Sequence, residues 1–215
     1  MTLGFGMNGM EEKVLELARS VASKHDAVTY VEIGVGEGTT LSAIGHTLKA
    51  SGKKWRAVGV ELPNGYSFNR QHTEMVCGNR GLEINFLVPG NCSIVQPKWG
   101  QVTVYFQDSQ TFLIERWKEP IHFSLIDGCH GKPCVRQDFI AVEGFSVPGT
   151  LVMFHDFGDE QKGQAQPHCP DGCDVYGACY DLGLLTGKRK GWNFVEHIHA
   201  DHNQGGWDMG IFEKE

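Results

Sequence analysis

The sequence lacks three features that would assign it to a large class of proteins. It has no apolar run of transmembrane length, because its longest hydrophobic stretches are strand-sized and interrupted by Gly, Asp or His. It has no excess of basic residues, with 19 Lys and Arg against 26 Asp and Glu and a formal net charge of −7. Residues 1–13 lack the basic start and apolar core of a secretory signal. We therefore expect a cytoplasmic protein with neither a membrane nor a nucleic acid as partner.

Cysteine occurs seven times, an odd number, and no two cysteines form a C-x-x-C pair. A disulfide scaffold is not expected in a chain of this size, so mostly reduced thiols are predicted. His168, Cys169, Cys173 and Cys179 offer four zinc-ligand types in one short stretch, but their spacing differs from that of a zinc knuckle or ribbon. Cys179 can equally be a small apolar side chain on a helix.

Short apolar runs alternate with helical patterns along the chain. After an amphipathic helix over 10–23, strands are predicted in AVTYVEIG, WRAVGVEL, QVTVYF, IHFSLID and GTLVMFHDF, and a final pair in WNFVEHIHA and GGWDMGIFEK. Strands that alternate with helices form right-handed βαβ units. We predict an α/β fold over 1–215 as a single domain: a Rossmann-like, doubly wound, mostly parallel sheet between helical layers, with an antiparallel C-terminal strand pair. Residues 82–101 allow no assignment.

Three glycines alternate where the first strand turns into a helix. Gly34, Gly36 and Gly38 leave backbone amides and the helix N-terminus open to a ligand. The spacing is G-x-G-x-G, whereas a nicotinamide-binding fingerprint has G-x-G-x-x-G. Glu61, at the end of the second strand, lies where a doubly wound fold holds ribose hydroxyls, and Asp108 adds a polar group at the same edge. A tight turn without a ligand is the alternative interpretation.

Four stretches in order, VEIGVGEGTT, VGVEL, FQDSQTFL and SLIDGCHG, resemble the successive motifs of class I S-adenosylmethionine-dependent methyltransferases, over residues 28–156. The resemblance implies S-adenosylmethionine as cofactor, bound by Glu32, Gly34, Gly36, Gly38, Thr39, Glu61, Asp108, Ser109 and Asp127. It implies that Glu32 and the glycines lie beside the methionine part and that Glu61 binds the ribose. Asp108 and Ser109 would then lie near the adenine.

Two clusters of carboxylates and imidazoles follow neighbouring strands, Asp127 with His130 and His155 with Asp156. Such groups are costly to gather at one sheet edge unless a cation or a substrate proton lies between them. The two carboxylates suit Mg²⁺, while the His155 imidazole shifts the preference towards Mn²⁺, Fe²⁺ or Zn²⁺. We predict a divalent metal, Mg²⁺ or Mn²⁺, held by Asp127, His155 and Asp156. Asp127 as a loop cap and His130 as a hydrogen-bonded, partly buried histidine are the structural alternatives.

The same strand ends resemble those of metal-dependent small-molecule O-methyltransferases and cephalosporin-hydroxylase-like proteins, although His155 replaces one member of the usual acidic pair. The predicted function is metal-assisted O-methylation of a small-molecule or sugar hydroxyl, with Asp127 and His130 catalytic and His130 accepting the hydroxyl proton. The alternatives are a hydroxylase-like or repurposed relative with a redox metal, and a cofactor-binding module without catalysis.

The substrate side is expected in residues 1–10, in an insertion over 62–101 and in a loop over 157–175. The loop is polar, contains Gly and Pro, and is expected to lie over the carboxyl edge of the sheet. His197 and His199 share one face of a late strand and either line that pocket or are solvated. The substrate itself cannot be inferred, and a homo-oligomer is compatible with the sequence.

Overall fold

The computed structural model describes residues 10–63, 68–87, 97–158, 162–163, 172–199 and 208–215. The strands are β1 (Ala27–Ile33), β2 (Lys54–Glu61), β3 (Glu83–Leu87), β4 (Gln101–Phe106), β5 (Ile121–Ile126), β6 (Ser146–His155), β7 (Trp192–Ile198) and β8 (Met209–Lys214). They form one eight-stranded sheet of order β3-β4-β2-β1-β5-β6-β8-β7. The first six pair in parallel, and β8 runs antiparallel to both β6 and β7. The predicted Rossmann-like α/β sheet with an antiparallel C-terminal pair is confirmed.

The helices of the described part are α1 (Glu11–Lys24), α2 (Thr39–Ala50), α3 (Arg70–Asn79), α4 (Ser109–Thr111), α5 (Lys132–Glu143) and α6 (Val175–Asp181). A π-helical turn over Phe112–Arg116 continues α4. Helix α6 is shorter than the sequence pattern predicts. Gly183, with φ +80°, takes up the left-handed conformation, and the Leu184 N–H donates back to the Cys179 carbonyl. This arrangement ends a helix, because no further N–H follows the helical path.

Residues 82–101, which the sequence left unassigned, contain the edge strand β3. It pairs in parallel with β4 from Glu83 opposite Gln101 to Leu87 opposite Tyr105. Its side chains are half-buried or exposed, as suits a strand with one neighbour only. Residues 88–96 lie outside the described part of the chain.

The sheet is buried on both faces by two apolar clusters. Successive residues of β1 point to opposite sides, so that Tyr30 belongs to the cluster under α1 and α2 while Val31 belongs to the cluster under α5 and α6. A parallel strand covered on both faces has a continuous apolar sequence, which explains why AVTYVEI shows no polar alternation. Across the described residues, no helix is both long and apolar enough to cross a membrane.

The order of the sheet determines where a ligand can bind. Strand β1 lies between β2 and β5. The strands from β2 to β4 therefore extend the sheet on one side of β1, and the strands from β5 to β8 extend it on the other side. In open α/β sheets, ligands bind in the crevice at the carboxyl ends of the strands beside such a switch point. Gly34 follows β1, Asp127 follows β5 and Asp156 follows β6, so three segments singled out in the sequence meet at this edge.

Candidate functional site

The glycine turn after β1 is held open by a carboxylate from the neighbouring strand. Gly34, Gly36 and Gly38 all have positive φ, at +83°, +52° and +71°. The Glu61 Oε2 atom accepts hydrogen bonds from the backbone N–H of Val35 (2.9 Å) and of Gly36 (3.2 Å). Glu61, the expected ribose ligand, therefore also fixes the turn that would hold the rest of the cofactor.

Glu32 lies at the end of β1 with 2 % of its surface exposed. Its Oε2 atom accepts a hydrogen bond of 2.6 Å from the Tyr30 hydroxyl. Burial raises the pKa of Glu32 well above its usual range, and the charges of Asp127 and Glu61 raise it further, against the opposing effect of the Tyr30 hydrogen bond. A buried carboxyl group that stays protonated can donate a hydrogen bond as well as accept one. Glu32 can therefore bind a ligand through both kinds of hydrogen bond. Thr39, another residue of the predicted cofactor-binding set, is the first residue of α2 and is buried.

Asp108 and Ser109 lie where β4 ends, at the same edge, and both form local hydrogen bonds. Asp108 caps α4 through a 2.9 Å bond from the Thr111 N–H to its Oδ1 atom. The Ser109 hydroxyl donates to Asp138 Oδ1 at 2.5 Å. Asp138 is buried, which raises its pKa to about 7. The sequence analysis missed Asp138, although an Asp among the apolar residues of QDFIAVEGF was a usable signal.

Two carboxylates and two imidazoles meet at the ends of β5 and β6. His155 Nδ1 lies 3.0 Å from Asp127 Oδ1 and 3.3 Å from Asp156 Oδ1. His130 Nδ1 lies 2.8 Å from Asp156 Oδ2, and its Nε2 atom lies 3.4 Å from Asp127 Oδ1. One ligand atom from each of the four residues lies within 4.8 Å of all the others. The structure thus brings together both pairs that the sequence analysis singled out.

The four groups shift one another's proton affinity. Although burial opposes the charged forms, the carboxylates raise the pKa of His130 to about 10 and that of His155 well above its usual range. The imidazoles in turn lower the pKa of Asp127 and of Asp156. These shifts favour the protonated form of both imidazoles and the ionised form of both carboxyl groups.

Two observations indicate that this cluster is more than a set of ion pairs that satisfy one another. His155 Nε2 and Asp156 Oδ1 are buried and form no hydrogen bond with any residue of the described part of the chain. Asp156 is also the single non-glycine residue with positive φ in that part, at +55°. Backbone strain of this kind persists where the surroundings enforce it, and it is concentrated at functional sites.

The loop that carries His130 is fixed by a disulfide between Cys129 and Cys134. The expectation of mostly reduced thiols is therefore wrong for these two residues, because the turn from β5 into α5 folds them together despite a spacing that matches no redox motif. The Asp174 N–H also donates to the His130 carbonyl at 2.9 Å, which docks the start of α6 on the same loop.

Of the other residues expected at the site, some lie in the described part of the chain and others lie outside it. Cys179 is fully buried on α6 among apolar side chains, which matches its interpretation as a small core residue. His168 and Cys169, and with them the zinc hypothesis, lie outside the described residues. The same holds for residues 1–9 and for most of the predicted 157–175 loop.

Solved methyltransferases share this fold. The O-methyltransferase of tomaymycin synthesis from Streptomyces achromogenes, solved with S-adenosylmethionine, superimposes with a TM-score of 0.62 at 15 % identity, covering 94 % of this chain and 79 % of its own. An O-methyltransferase from Bacillus cereus, solved with S-adenosylhomocysteine, gives 0.59 at 16 % identity, with 95 % and 81 % covered. The TDP-rhamnose 3′-O-methyltransferase of calicheamicin biosynthesis gives 0.57 at 14 % identity, with 94 % and 77 % covered.

No curated protein sequence matches the chain. A family model does: the methyltransferase domain described as Methyltransf_24 matches residues 31–157, more than half of the chain. The match begins within β1 and ends just beyond Asp156, so it spans the glycine turn, Glu61 and the four-residue cluster. The predicted resemblance is thereby confirmed, and the chain belongs to this methyltransferase family.

Proposed function

We propose that this chain is an S-adenosylmethionine-dependent O-methyltransferase that acts on a hydroxyl group of a small molecule or sugar with the help of a divalent cation. The observation that carries the proposal is the meeting of two sites at one sheet edge. The glycine turn after β1 lies directly against the strand end that bears Asp127. A methyl donor on the turn and an acceptor at the cluster would therefore be neighbours, as direct transfer requires.

The cofactor part of the proposal assigns S-adenosylmethionine to the turn and to the ends of β2 and β4. When bound, it would supply a methyl group on a positively charged sulfur. The chain's contribution would be to hold it: the glycines permit close approach, Glu32 and Thr39 would bind the methionine part, and Glu61 would bind the ribose. Asp108 and Ser109 complete the proposed set near the adenine. The solved neighbours bound to S-adenosylmethionine or S-adenosylhomocysteine support this assignment.

The metal part of the proposal assigns a divalent cation to Asp127, His155 and Asp156. The donor set fits, because the buried His155 Nε2 atom forms no hydrogen bond within the described residues, and Asp156 Oδ1, 3.3 Å from His155 Nδ1, forms none of acceptable geometry there. The imidazoles also lower the pKa of Asp127 and of Asp156, which favours the carboxylate forms that bind cations. A bound cation would stabilise the oxyanion form of a hydroxyl substrate, whose pKa is otherwise too high for attack at neutral pH. Two carboxylates with one imidazole suit Mn²⁺ or Mg²⁺.

His130 is the proposed proton acceptor, provided that its imidazole is neutral before the reaction. With a pKa of about 10 it holds a proton at neutral pH, and a base must be neutral before it accepts one. Its role therefore depends on positive charge in the cluster to compensate Asp127 and Asp156. Asp127 then orients the imidazole through the 3.4 Å contact with Nε2.

A hydroxylase-like or repurposed relative is the second candidate, and the His155 imidazole is the observation that favours it. An imidazole beside two carboxylates also suits Fe²⁺. Oxygen consumption by the Fe²⁺-loaded protein, without methyl transfer, would favour this candidate. We further propose that residues 1–215 act as one domain on a small molecule in the cytoplasm, a compartment in which a disulfide such as Cys129–Cys134 is reversible.

The experiment that tests the proposal is a calorimetric titration of the purified protein with S-adenosylhomocysteine, with Mg²⁺ or Mn²⁺ and after chelation. We expect binding in all conditions and a separate heat for the metal. Methyl transfer to a panel of hydroxylated compounds, followed by mass spectrometry, would then be lost on chelation. Absence of cofactor binding in every condition would overturn the proposal.

A further inference from the structure

We propose that His197, His199 and Asp208 form a second divalent transition-metal site, of the type that binds Zn²⁺, separate from the cluster at Asp127. His197 Nε2 lies 2.7 Å from Asp208 Oδ2, and His199 Nδ1 lies 2.9 Å from the same oxygen. The three ligand atoms lie within 4.8 Å of one another. Two imidazoles and a carboxylate are a donor set that borderline metals such as Zn²⁺ prefer over Mg²⁺.

The strand geometry explains why these three residues meet. His197 and His199 are two positions apart at the end of β7 and so share a face, with ring centroids 4.1 Å apart. Asp208 immediately precedes β8, whose Met209 pairs with Ile198. His197 lies within β7, His199 follows that strand directly and Asp208 directly precedes β8. The ladder between the two strand ends therefore brings the three ligands together.

The position of the His197 ring is fixed by packing. Phe157 lies edge-on against it, with ring centroids 5.1 Å apart. The Phe157 ring occupies the space over Gly210, the partner of His197 on β8, where a Cβ atom would lie 2.5 Å from ring carbons. Gly210 thus makes room for the aromatic ring that orients the imidazole. A metal ligand whose orientation is set by its neighbours loses little conformational entropy on binding.

One atom of the trio has the property expected of an empty ligand position. His197 Nε2 is inaccessible to solvent and forms no hydrogen bond of acceptable geometry within the described residues, although Asp208 Oδ2 is only 2.7 Å away. Asp208 is 3 % exposed, and a buried carboxylate is costly unless positive charge accompanies it. A cation bound by all three ligand atoms would give His197 Nε2 a partner and would take the place of the 2.9 Å hydrogen bond between His199 Nδ1 and Asp208 Oδ2.

The site has access to solvent and a connection to the first cluster. The side chain of His199 is 71 % exposed, so an ion can reach the trio from outside. On the inner side, the Phe157 N–H donates to the Asp208 carbonyl at 3.0 Å, and Phe157 follows Asp156 directly. An ion on Asp208 would therefore fix the strand end that carries Asp156. The trio needs no residue of the first cluster and does not depend on the proposed methyl transfer.

The test uses the full chain without an affinity tag, stripped of metal and titrated with Zn²⁺ against a chromophoric chelator. His199→Ala removes an exposed ligand, while His46→Ala removes an imidazole on α2 as a matched control. We expect His199→Ala to lose one equivalent of Zn²⁺, or to bind it more than about a hundredfold more weakly, which exceeds the roughly 10- to 100-fold loss that follows removal of an outer-shell partner. His46→Ala should match the wild type, and Asp156→Asn should keep this equivalent whatever becomes of the first cluster.

The opposite result would overturn the inference. If His199→Ala binds as many equivalents of Zn²⁺ as the wild type and with the same affinity, then the trio is only a hydrogen-bonded connection between β7 and β8. Co²⁺ absorption spectra of the same proteins give an independent measurement, since a site with imidazole ligands has a spectrum that His199→Ala would alter. Circular dichroism of each variant verifies that the fold is retained.

Discussion

Gly34 lies so close to Asp127 that a Cβ atom on Gly34 would stand 2.2 Å from the Asp127 carbonyl oxygen. Gly34 also has a φ of +83°, which side chains disfavour. The Asp127 N–H donates to the carbonyl of Ile33, directly before Gly34. Glycine at this position therefore joins the proposed cofactor turn to the strand end that bears a proposed metal ligand.

Gly34→Ala should destabilise the protein by about 3 kcal/mol or more, combining the cost of a left-handed alanine with that of overpacking against backbone. Urea unfolding measures the loss. Gly52→Ala is the matched control, because Gly52 has a similar φ of +71° but nothing within 4 Å of the added Cβ. It should cost only about 1–2 kcal/mol. Equal losses in the two variants would show that the contact with Asp127 has no energetic weight.

Glu61→Ala should weaken S-adenosylhomocysteine binding about tenfold or more, equivalent to about 1.4 kcal/mol. The substitution removes a proposed ribose ligand and also leaves the N–H groups of Val35 and Gly36 without their acceptor. Calorimetric titration measures the affinity. Glu74→Ala, which removes an exposed carboxylate from α3, should leave it unchanged. An affinity in Glu61→Ala equal to that of the wild type would contradict the role of Glu61.

Asp156→Asn should reduce methyl transfer about a hundredfold or more while S-adenosylhomocysteine affinity stays within a few-fold. Loss of a cation that stabilises an oxyanion costs several kcal/mol in the transition state. The rate is measured by mass spectrometry and the affinity by calorimetry on the same preparation. A parallel loss of cofactor binding would mean that Asp156 supports the fold or contacts the cofactor, and the metal proposal would then fail.

Asp138 should make stability depend on pH in a direction opposite to that of most carboxylates. Its folded pKa of about 7 lies above the ordinary value of 3.8, so between these values the folded protein binds more protons than the unfolded chain. The contribution is full below the ordinary value and is lost as the pH rises, with a slope that approaches 1.4 kcal/mol per pH unit. Urea unfolding of the wild type and of Asp138→Asn should diverge over this range. Parallel profiles would contradict the raised pKa.

Reduction of the Cys129–Cys134 disulfide should lower methyl transfer more than it lowers cofactor affinity. The bond closes the loop that carries His130, whereas the glycine turn lies after another strand. For so short a loop the expected loss of stability is about 2 kcal/mol. Addition of dithiothreitol should affect the wild type and leave a Cys129→Ser/Cys134→Ser variant unchanged. Equal responses of the two proteins to dithiothreitol would show that the loss of activity does not come from reduction of this disulfide.

Much of the fold could be predicted because its signals are local. Strand β1 and helix α2 carry an apolar run, three glycines and an amphipathic pattern within a continuous stretch, and each signal depends on residues a few positions apart. The convergence of Asp127 and Asp156 could also be predicted, since consecutive parallel strands bring their carboxyl ends to one edge. The end of α6 was misjudged because Gly183 interrupts an otherwise helical pattern.

The sequence by itself determined the alternation of strands and helices, the glycine turn and the family. Only the tertiary structure decided that Asp208 joins His197 and His199, that Ser109 donates to Asp138, and that Cys129 bonds to Cys134. The physical reason is the distance along the sequence over which each interaction acts. Periodicity and turn chemistry act between near neighbours, whereas these contacts depend on strand register, on the packing of α5 beside α4 and on the path of one loop.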